Sequence, residues 1–247
     1  FNGEIYNHSA LRSELDSINQ RNWYGHSDTE TLLAAIEEWG LDRTLKKAKG
    51  MFAIALWSKR NKSLYLACDR VGEKPIYYGW VNDQFVFASE LKAIKKFPKF
   101  NNSIDRSSLA LFLRLNSIPA PYSIYKDIYK VEPGQIIRLE AGSKKIERQN
   151  FWSTEKVYDE GNMNQFSFSS SEAVNQLESV LSSAVSSQMQ SDVPLGAFLS
   201  GGIDSSTVVA LMQSFSNNKV NTFTIGFNAK EFDEAKHAGM VAKHLGT

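Results

Sequence analysis

The chain has 247 residues, 42% apolar and 22% charged, a balance that excludes a disordered or fibrous protein and suits one large domain or two modest ones. With 28 Lys and Arg against 27 Asp and Glu, the net charge of +1 leaves no basic footprint for a nucleic-acid backbone. A lone cysteine, Cys68, excludes internal disulfides and multi-thiolate zinc sites, and the longest apolar run, 51–57, falls far short of the ~20 residues that span a bilayer. The expectation is a cytoplasmic protein with neither a nucleic-acid nor a membrane partner. Phe1 in place of Met, and Thr247 directly after an apolar helical pattern, read as ends cut from a longer chain.

Leu11, Leu15 and Ile18 recur at helical spacing and predict a surface helix over 8–18. Ser27-Asp28-Thr29-Glu30 has the form of a capping box, so a second helix is expected from Ser27, carrying Leu33, Ile36 and Trp39 and closing at Gly40. Residues 51–58 are apolar at odd and even positions alike, the pattern of a strand covered on both faces. Strands at 63–68, 76–81 and 84–88, turning at 59–62 and at Asn82-Asp83, complete an expected antiparallel meander, with Phe52, Trp57, Tyr77 and Phe87 as core. A helix over 105–115 and a hairpin of 135–139 with 145–148 follow, so the first half is α+β. Tyr122, Tyr125 and Tyr129 between them read either as packing or as an interdomain surface. The polar stretch 158–171 reads as a linker between domains at 1–157 and 172–247. Beyond it, helices at 172–188, 204–215 and 233–245 alternate with strands at 193–199 and 220–227, the signature of a parallel α/β sheet.

The strongest local signal for chemistry is Leu199-Ser200-Gly201-Gly202-Ile203-Asp204-Ser205-Ser206, set between a strand and a helix. Two glycines let backbone N–H groups approach an anion, and the following helix points its free amides at it. The serines add hydroxyl donors, and Asp204 beside phosphate makes sense as a ligand to Mg²⁺. The same residues also suit a plain Gly-rich turn with Asp204 and the serines capping the helix. The loop lacks the Lys of a P-loop, the spacing of a dinucleotide fingerprint and the G-x-S-x-G of a nucleophile elbow. At the other end, Asn2-Gly3 reads as a turn and Asp28 as the first residue of a capped helix. His8, His26, His237 and His244 show no metal-ligand spacing.

S-G-G-I-D-S after an apolar strand resembles the PP-loop of ATP pyrophosphatases, which cleave ATP between its α and β phosphates. Residues 222–227 resemble the second strand of that fold, with Ile225 against adenine, and Phe232-Asp233-Glu234-Ala235 the start of its next helix. N-G-E-I-Y-N, S-D-T-E, G-M-F-A-I-A-L-W, D-R-V-G-E-K-P-I-Y-Y and F-A-S-E-L-K-A-I resemble, in order, the glutaminase half of glutamine-hydrolysing asparagine synthetases. These are class II amidotransferases, so the implied fold is an N-terminal-nucleophile αββα sandwich followed by the start of a Rossmann-like PP-loop domain.

The resemblance implies that the Asn2 side-chain amide and the Gly3 N–H form an oxyanion hole, that Asp28 pairs with the α-ammonium of glutamine and that Glu4 helps to hold its polar end. Leu199, Ser200, Gly201, Gly202, Asp204, Ser205, Ser206 and Ile225 are implied to bind ATP, with Asp204 on the metal. The family's nucleophile is an N-terminal cysteine, and neither it nor the arginine for the glutamine carboxylate lies within 1–247. Cys68, where the family pattern usually has Arg, reads as a buried, inert thiol in mid-strand, so the piece itself is expected to be inactive. The implied reaction is glutamine hydrolysis, adenylation of aspartate and amidation to asparagine, in an enzyme that associates as a homodimer. The alternatives are another carboxylate acceptor such as a sugar acid, a non-catalytic nucleotide-binding module, and an ammonia-dependent synthetase with a dead glutaminase half.

Overall fold

The computed structural model describes residues 1–191, 193–227 and 233–247. The chain divides into two units, Phe1–Gln165 and Phe166–Thr247. The first runs β1 (Asn2–Ile5), α1 (His8–Ile18), α2 (Asp28–Trp39), α3 (Leu41–Lys47), β2 (Gly50–Ser58), β3 (Ser63–Cys68), β4 (Tyr77–Val81), β5 (Gln84–Ala88), α4 (Leu91–Lys95), α5 (Arg106–Leu115), β6 (Ile128–Lys130), β7 (Gln135–Glu140), β8 (Ile146–Asn150) and α6 (Thr154–Met163).

The strand period of two explains how this unit is layered. In β2, Phe52 and Ile54 point to α1, α2 and α3, where they meet Leu11, Leu32 and Leu45, while Ala53 between them joins Leu66, Ile137 and Tyr78. A third cluster sets Val81, Val86 and Ile128 against Ile94 of α4. The order is therefore helices, sheet, sheet, helix, with each fully buried Leu or Ile contributing roughly 1.5–3 kcal/mol. The expectation that both faces of β2 are covered holds over 52–54; farther along, Trp57 is 52% exposed, and so is part of Phe87, correcting their reading as core.

The expected single meander is two sheets. One has the order β1-β2-β3-β7-β8 and the other β5-β4-β6, all pairs antiparallel. Asp69 is the reason the chain leaves the first sheet after β3. Its fully buried carboxylate accepts hydrogen bonds from five backbone N–H groups, those of Phe52, Val71, Gly72, Glu73 and Lys74, at 2.8 to 3.2 Å. That turn carries the strand that follows into the second sheet and frees the edge of β3 for β7.

Other expectations shift. Asn2-Gly3 lies in a strand, not a turn. On α2 the buried residues are Thr31, Leu32 and Ala35, whereas Leu33 is exposed. Cys68 is the last residue of β3 rather than mid-strand. Helix α6, capped by the Ser153 side chain, occupies the first part of the stretch read as linker.

The second unit runs α7 (Ser170–Gln188), β9 (Gly196–Phe198), α8 (Ile203–Phe215), β10 (Asn221–Phe223) and α9 (Ala235–Leu245). Strands β9 and β10 are parallel, joined through α8, and Leu199, Val209 and Ala238 form the core beneath them. Both strands are shorter than the apolar runs that signalled them. The expected helix-start residue Phe232 lies outside the described residues.

Candidate functional site

The first site is the open edge of β1. In an antiparallel ladder, residues alternate between exchanging both hydrogen bonds with their partner and facing away. Phe52 gives both of its backbone groups to the far side: its carbonyl accepts from Asp69 N at 2.9 Å, and its N–H donates to the Asp69 carboxylate at 3.1 Å. Gly3, its register partner, therefore directs its N–H to the open edge of the sheet. Ile5 repeats the phase two residues on, and there the edge N–H donates to Asp28 Oδ2 at 2.9 Å. The edge thus presents one free N–H and, about 7 Å along at ~3.4 Å per residue, a half-buried carboxylate.

Only glycine fits at position 3. Its φ is +152°, and a Cβ there would stand 2.0 Å from the Met51 carbonyl oxygen. Asn2 and Glu4, both exposed, lie on the strand face opposite the buried Ile5, as does Tyr6 just past the strand end. The Asn2 amide donates to Ser89 Oγ at 3.3 Å, tying β1 to the segment that follows β5. Burial, then the carboxylates of Glu73, Glu4 and Asp69, push the Tyr6 phenol upward from its ordinary value. Asn2, Gly3, Glu4 and Asp28 are therefore brought together along one edge. Cys68 is not with them. It is buried, donates its S–H to the Lys74 carbonyl at 3.4 Å, and burial pushes its thiol up to about 12.

The second site is the turn between β9 and α8. Ser200 and Ser205 hydroxyls are 2.9 Å apart, the Ser200 N–H donates to Ser205 Oγ at 3.2 Å, and the Gly202 N–H donates to Ser200 Oγ at 3.3 Å. These bonds, with Ser205 Oγ donating to the Gly202 carbonyl at 3.3 Å, shape the loop ahead of the helix, whose N-cap, Gly202, has no side chain to bond the first-turn amides. The reading of Asp204 and the serines as helix caps therefore fails, and the first-turn amides of α8 are left for an anion. Gly201 has φ +82°, and a Cβ there would come within 2.9 Å of the Ala238 nitrogen at the start of α9. Ser206 Oγ is buried and has no hydrogen-bond partner. Leu199 is buried behind the loop, its N–H donating to the Phe223 carbonyl and its own carbonyl accepting from Thr224 Oγ1. Asp204 is exposed, and among the described residues no three His, Cys, Asp or Glu side chains cluster as a metal site. Ile225 lies beyond β10, exposed, rather than in a strand.

Residues 1–152 match the glutamine amidotransferase domain family, and residues 176–247 match the asparagine synthase family. The chain belongs to the glutamine amidotransferase family. It is 34% identical over 253 residues to a putative glutamine-hydrolysing asparagine synthetase 2 of Methanocaldococcus jannaschii, covering 100% of this chain and 46% of the relative. To the glutamine-hydrolysing asparagine synthetase 1 of Bacillus subtilis it is 35% identical over 246 residues, covering 100% of this chain and 37% of the relative. The chain thus spans less than half the length of these curated relatives. Among solved structures, the glutamine phosphoribosylpyrophosphate amidotransferase of B. subtilis aligns with 62% of this chain and 28% of its own, at 21% identity and a TM-score of 0.44.

In the amidotransferase unit, sequence reasoning assigned no role to Arg12, Ser89 or Asp69. Arg12 sits on an amphipathic helix where a charge is expected to face water, and nothing local distinguishes it. Asp69 carried a signal: an acid followed by Arg70-Val71-Gly72 is a turn whose amides need an acceptor. Among the described residues, no helix is long and apolar enough to cross a membrane.

Proposed function

We propose that this chain is the glutaminase and ATP-loop portion of an enzyme that makes asparagine from aspartate with glutamine as nitrogen donor. The observation that carries this reading is the β1 edge, where a free Gly3 N–H and the fixed Asp28 carboxylate are spaced to suit the two ends of an extended glutamine.

Glutamine laid along that edge sets its ammonium at Asp28, a charge-assisted contact. Its side-chain carbonyl then lies at Gly3 N–H and the Asn2 amide, and Glu4 helps to hold the polar end. Attack on that carbonyl builds negative charge on its oxygen, where two preorganised donors contribute most. Cys68 cannot be the attacking group, since its thiol is buried and stays protonated near neutral pH. The reading takes the nucleophile and the group that binds the glutamine carboxylate from outside residues 1–247.

In the second unit, the uncapped start of α8, the unpartnered Ser206 hydroxyl and the cradle at Gly201 fit a pyrophosphate group. ATP is a substrate here: aspartate is adenylated with loss of pyrophosphate, and ammonia displaces AMP to give asparagine. Asp204 would hold Mg²⁺ together with phosphate oxygens and water, and the ion would neutralise charge as pyrophosphate leaves. Ile225 offers an exposed apolar surface for the adenine ring. The sheet begun by β9 and β10 would extend into a Rossmann-like domain. The reading takes the enzyme as a homodimer, as the family resemblance implies, and keeps the expectation of a cytoplasmic location.

The test uses the full-length protein. Its mature first residue is expected to be cysteine by mass spectrometry, and AMP release is expected to require aspartate and either glutamine or ammonium. AMP release indifferent to aspartate would refute the acceptor assignment.

A further inference from the structure

We infer that Arg12, acting with Glu30, is a positioning residue for glutamine selection: the pair fixes the loop that delivers Asp28 to the β1 edge. The inference rests on the glutaminase reading of that edge.

Residues 23–27 lead directly into Asp28, and their backbone is held from both polar ends. Arg12 takes the carbonyls, with Nη1 donating to Gly25 O at 2.8 Å and Nη2 to Ser27 O at 3.2 Å. Glu30 takes the amides, its carboxylate accepting from Tyr24 N at 2.8 Å and Gly25 N at 3.0 Å. The two side chains face each other at 3.7 Å. Arg12 Nε also donates to Oγ1 of the buried Thr31 at 3.1 Å, and its guanidinium lies 4.2 Å from the ring centroid of Trp23. Trp23 is in turn anchored by its indole N–H to Asp16.

This arrangement explains a departure from the sequence expectation. Ser27 does accept from Glu30 N at 3.3 Å, but the Glu30 carboxylate does not return to Ser27 as a capping box requires. It is committed to the loop instead. S-D-T-E therefore holds two carboxylates with separate tasks: Glu30 shapes the loop and Asp28 reaches the edge. The Ser27 carbonyl held by Arg12 belongs to the peptide bond that supplies the Asp28 nitrogen. One bond of the guanidinium fork holds that peptide while the other two tie it to Gly25 and Thr31, a three-way fixation that a lysine cannot reproduce. A displacement of about 1 Å at a substrate anchor is enough to cost a large factor in rate.

The experiment compares glutamine with glutaramate, its analogue lacking the α-amino group, as glutaminase substrates of the full-length enzyme. Arg12→Ala is expected to lower the glutamine-to-glutaramate ratio of kcat/KM by about tenfold or more, the size set by hydrogen bonds to charged groups. The loss should fall on the KM for glutamine, and Arg12→Lys should not restore it. In an Asp28→Asn background, Arg12→Ala should change the ratio no further. An unchanged ratio, or equal losses on both substrates, overturns the inference. A cooperative urea transition of the variant close to that of the wild type reports folding. If Arg12→Ala fails to fold, Glu30→Gln is expected to lower the ratio in the same direction, and an unchanged ratio there overturns the inference. A wild-type enzyme that makes asparagine from ammonia but hydrolyses no glutamine overturns the glutaminase reading itself.

Discussion

At Gly3 the backbone conformation and the space around it exclude every other residue for separate reasons. A side chain at φ +152° is strained, and its first carbon would also enter the van der Waals shell of the Met51 carbonyl. Gly3→Ala must therefore shift β1 away from β2, at a cost of about 1–3 kcal/mol, and turn the edge N–H from its place. Urea unfolding should show that loss of stability, and glutamine hydrolysis by the full-length enzyme should fall by about two orders of magnitude or more. Cys68 makes the opposite point, that a reactive residue type can be inert. A free thiol ionises near ~8.5, whereas burial pushes this one up to about 12. The unfolded chain therefore loses its proton first: the contribution to stability is whole below about pH 8.5 and is lost as pH rises toward 12. Cys68→Ala should flatten the decline of the urea midpoint above pH 9, and iodoacetamide should leave Cys68 unlabelled in the native protein at pH 8.

Among the elements, two segments with the same S-x-x-E pattern behave differently, and the difference marks what a sequence can reveal. Ser169 and Glu172 form a reciprocal capping box at α7, because no neighbouring loop competes for Glu172. At α2, the amides of Tyr24 and Gly25 compete for Glu30 and take it. The start of α2 is legible from its pattern, whereas Ser169 to Ser171 read as linker and α7 as starting at Glu172. The destination of Glu30 depends on a loop conformation that Arg12, from another helix, helps to complete. Most of the longer helices and strands were similarly readable from periodicity, but β1, α3, α4, β6 and α6 were missed, α3 because its seven residues hold too few apolar positions to show a period. Asp69 governs a loop in the same way that Glu30 does, with a larger energy at risk. Asp69→Asn would present N–H donors to a nest of backbone N–H groups, so the expected loss is about 3 kcal/mol or more in urea unfolding. Because Phe52 N is among those donors and Phe52 faces Gly3 across the ladder, the glutamine hydrolysis proposed for the full-length protein should fall with it.

On the scale of the whole molecule, pairings between strands distant in the chain decide the architecture, and these are what local patterns do not encode. Nothing in residues 63–88 indicates that β3 will meet β7 while β4 meets β6; the two-sheet arrangement follows from where the Asp69 turn sends the chain. The junction between units was partly obscured for a different reason. Tyr158, Asp159, Glu160, Gly161 and Asn162 are polar enough to read as linker, yet they lie in α6, which buries no side chain and is held by its cap and its own backbone bonds. Between the end of α6 and the start of α7, residues 164–169 carry no regular structure, and all are exposed. Phe166 and Phe168 stand there with ring centroids 5.3 Å apart, within the span where proteases find extended backbone without first unfolding a helix or sheet. Brief chymotrypsin treatment of the native protein should therefore cut first after Phe166 or Phe168, separating the first unit from the second. Mass spectrometry of the first fragments decides it: an initial cut within Phe1–Gln165 would mean that the helix and sheet layers of the first unit open more readily than the junction.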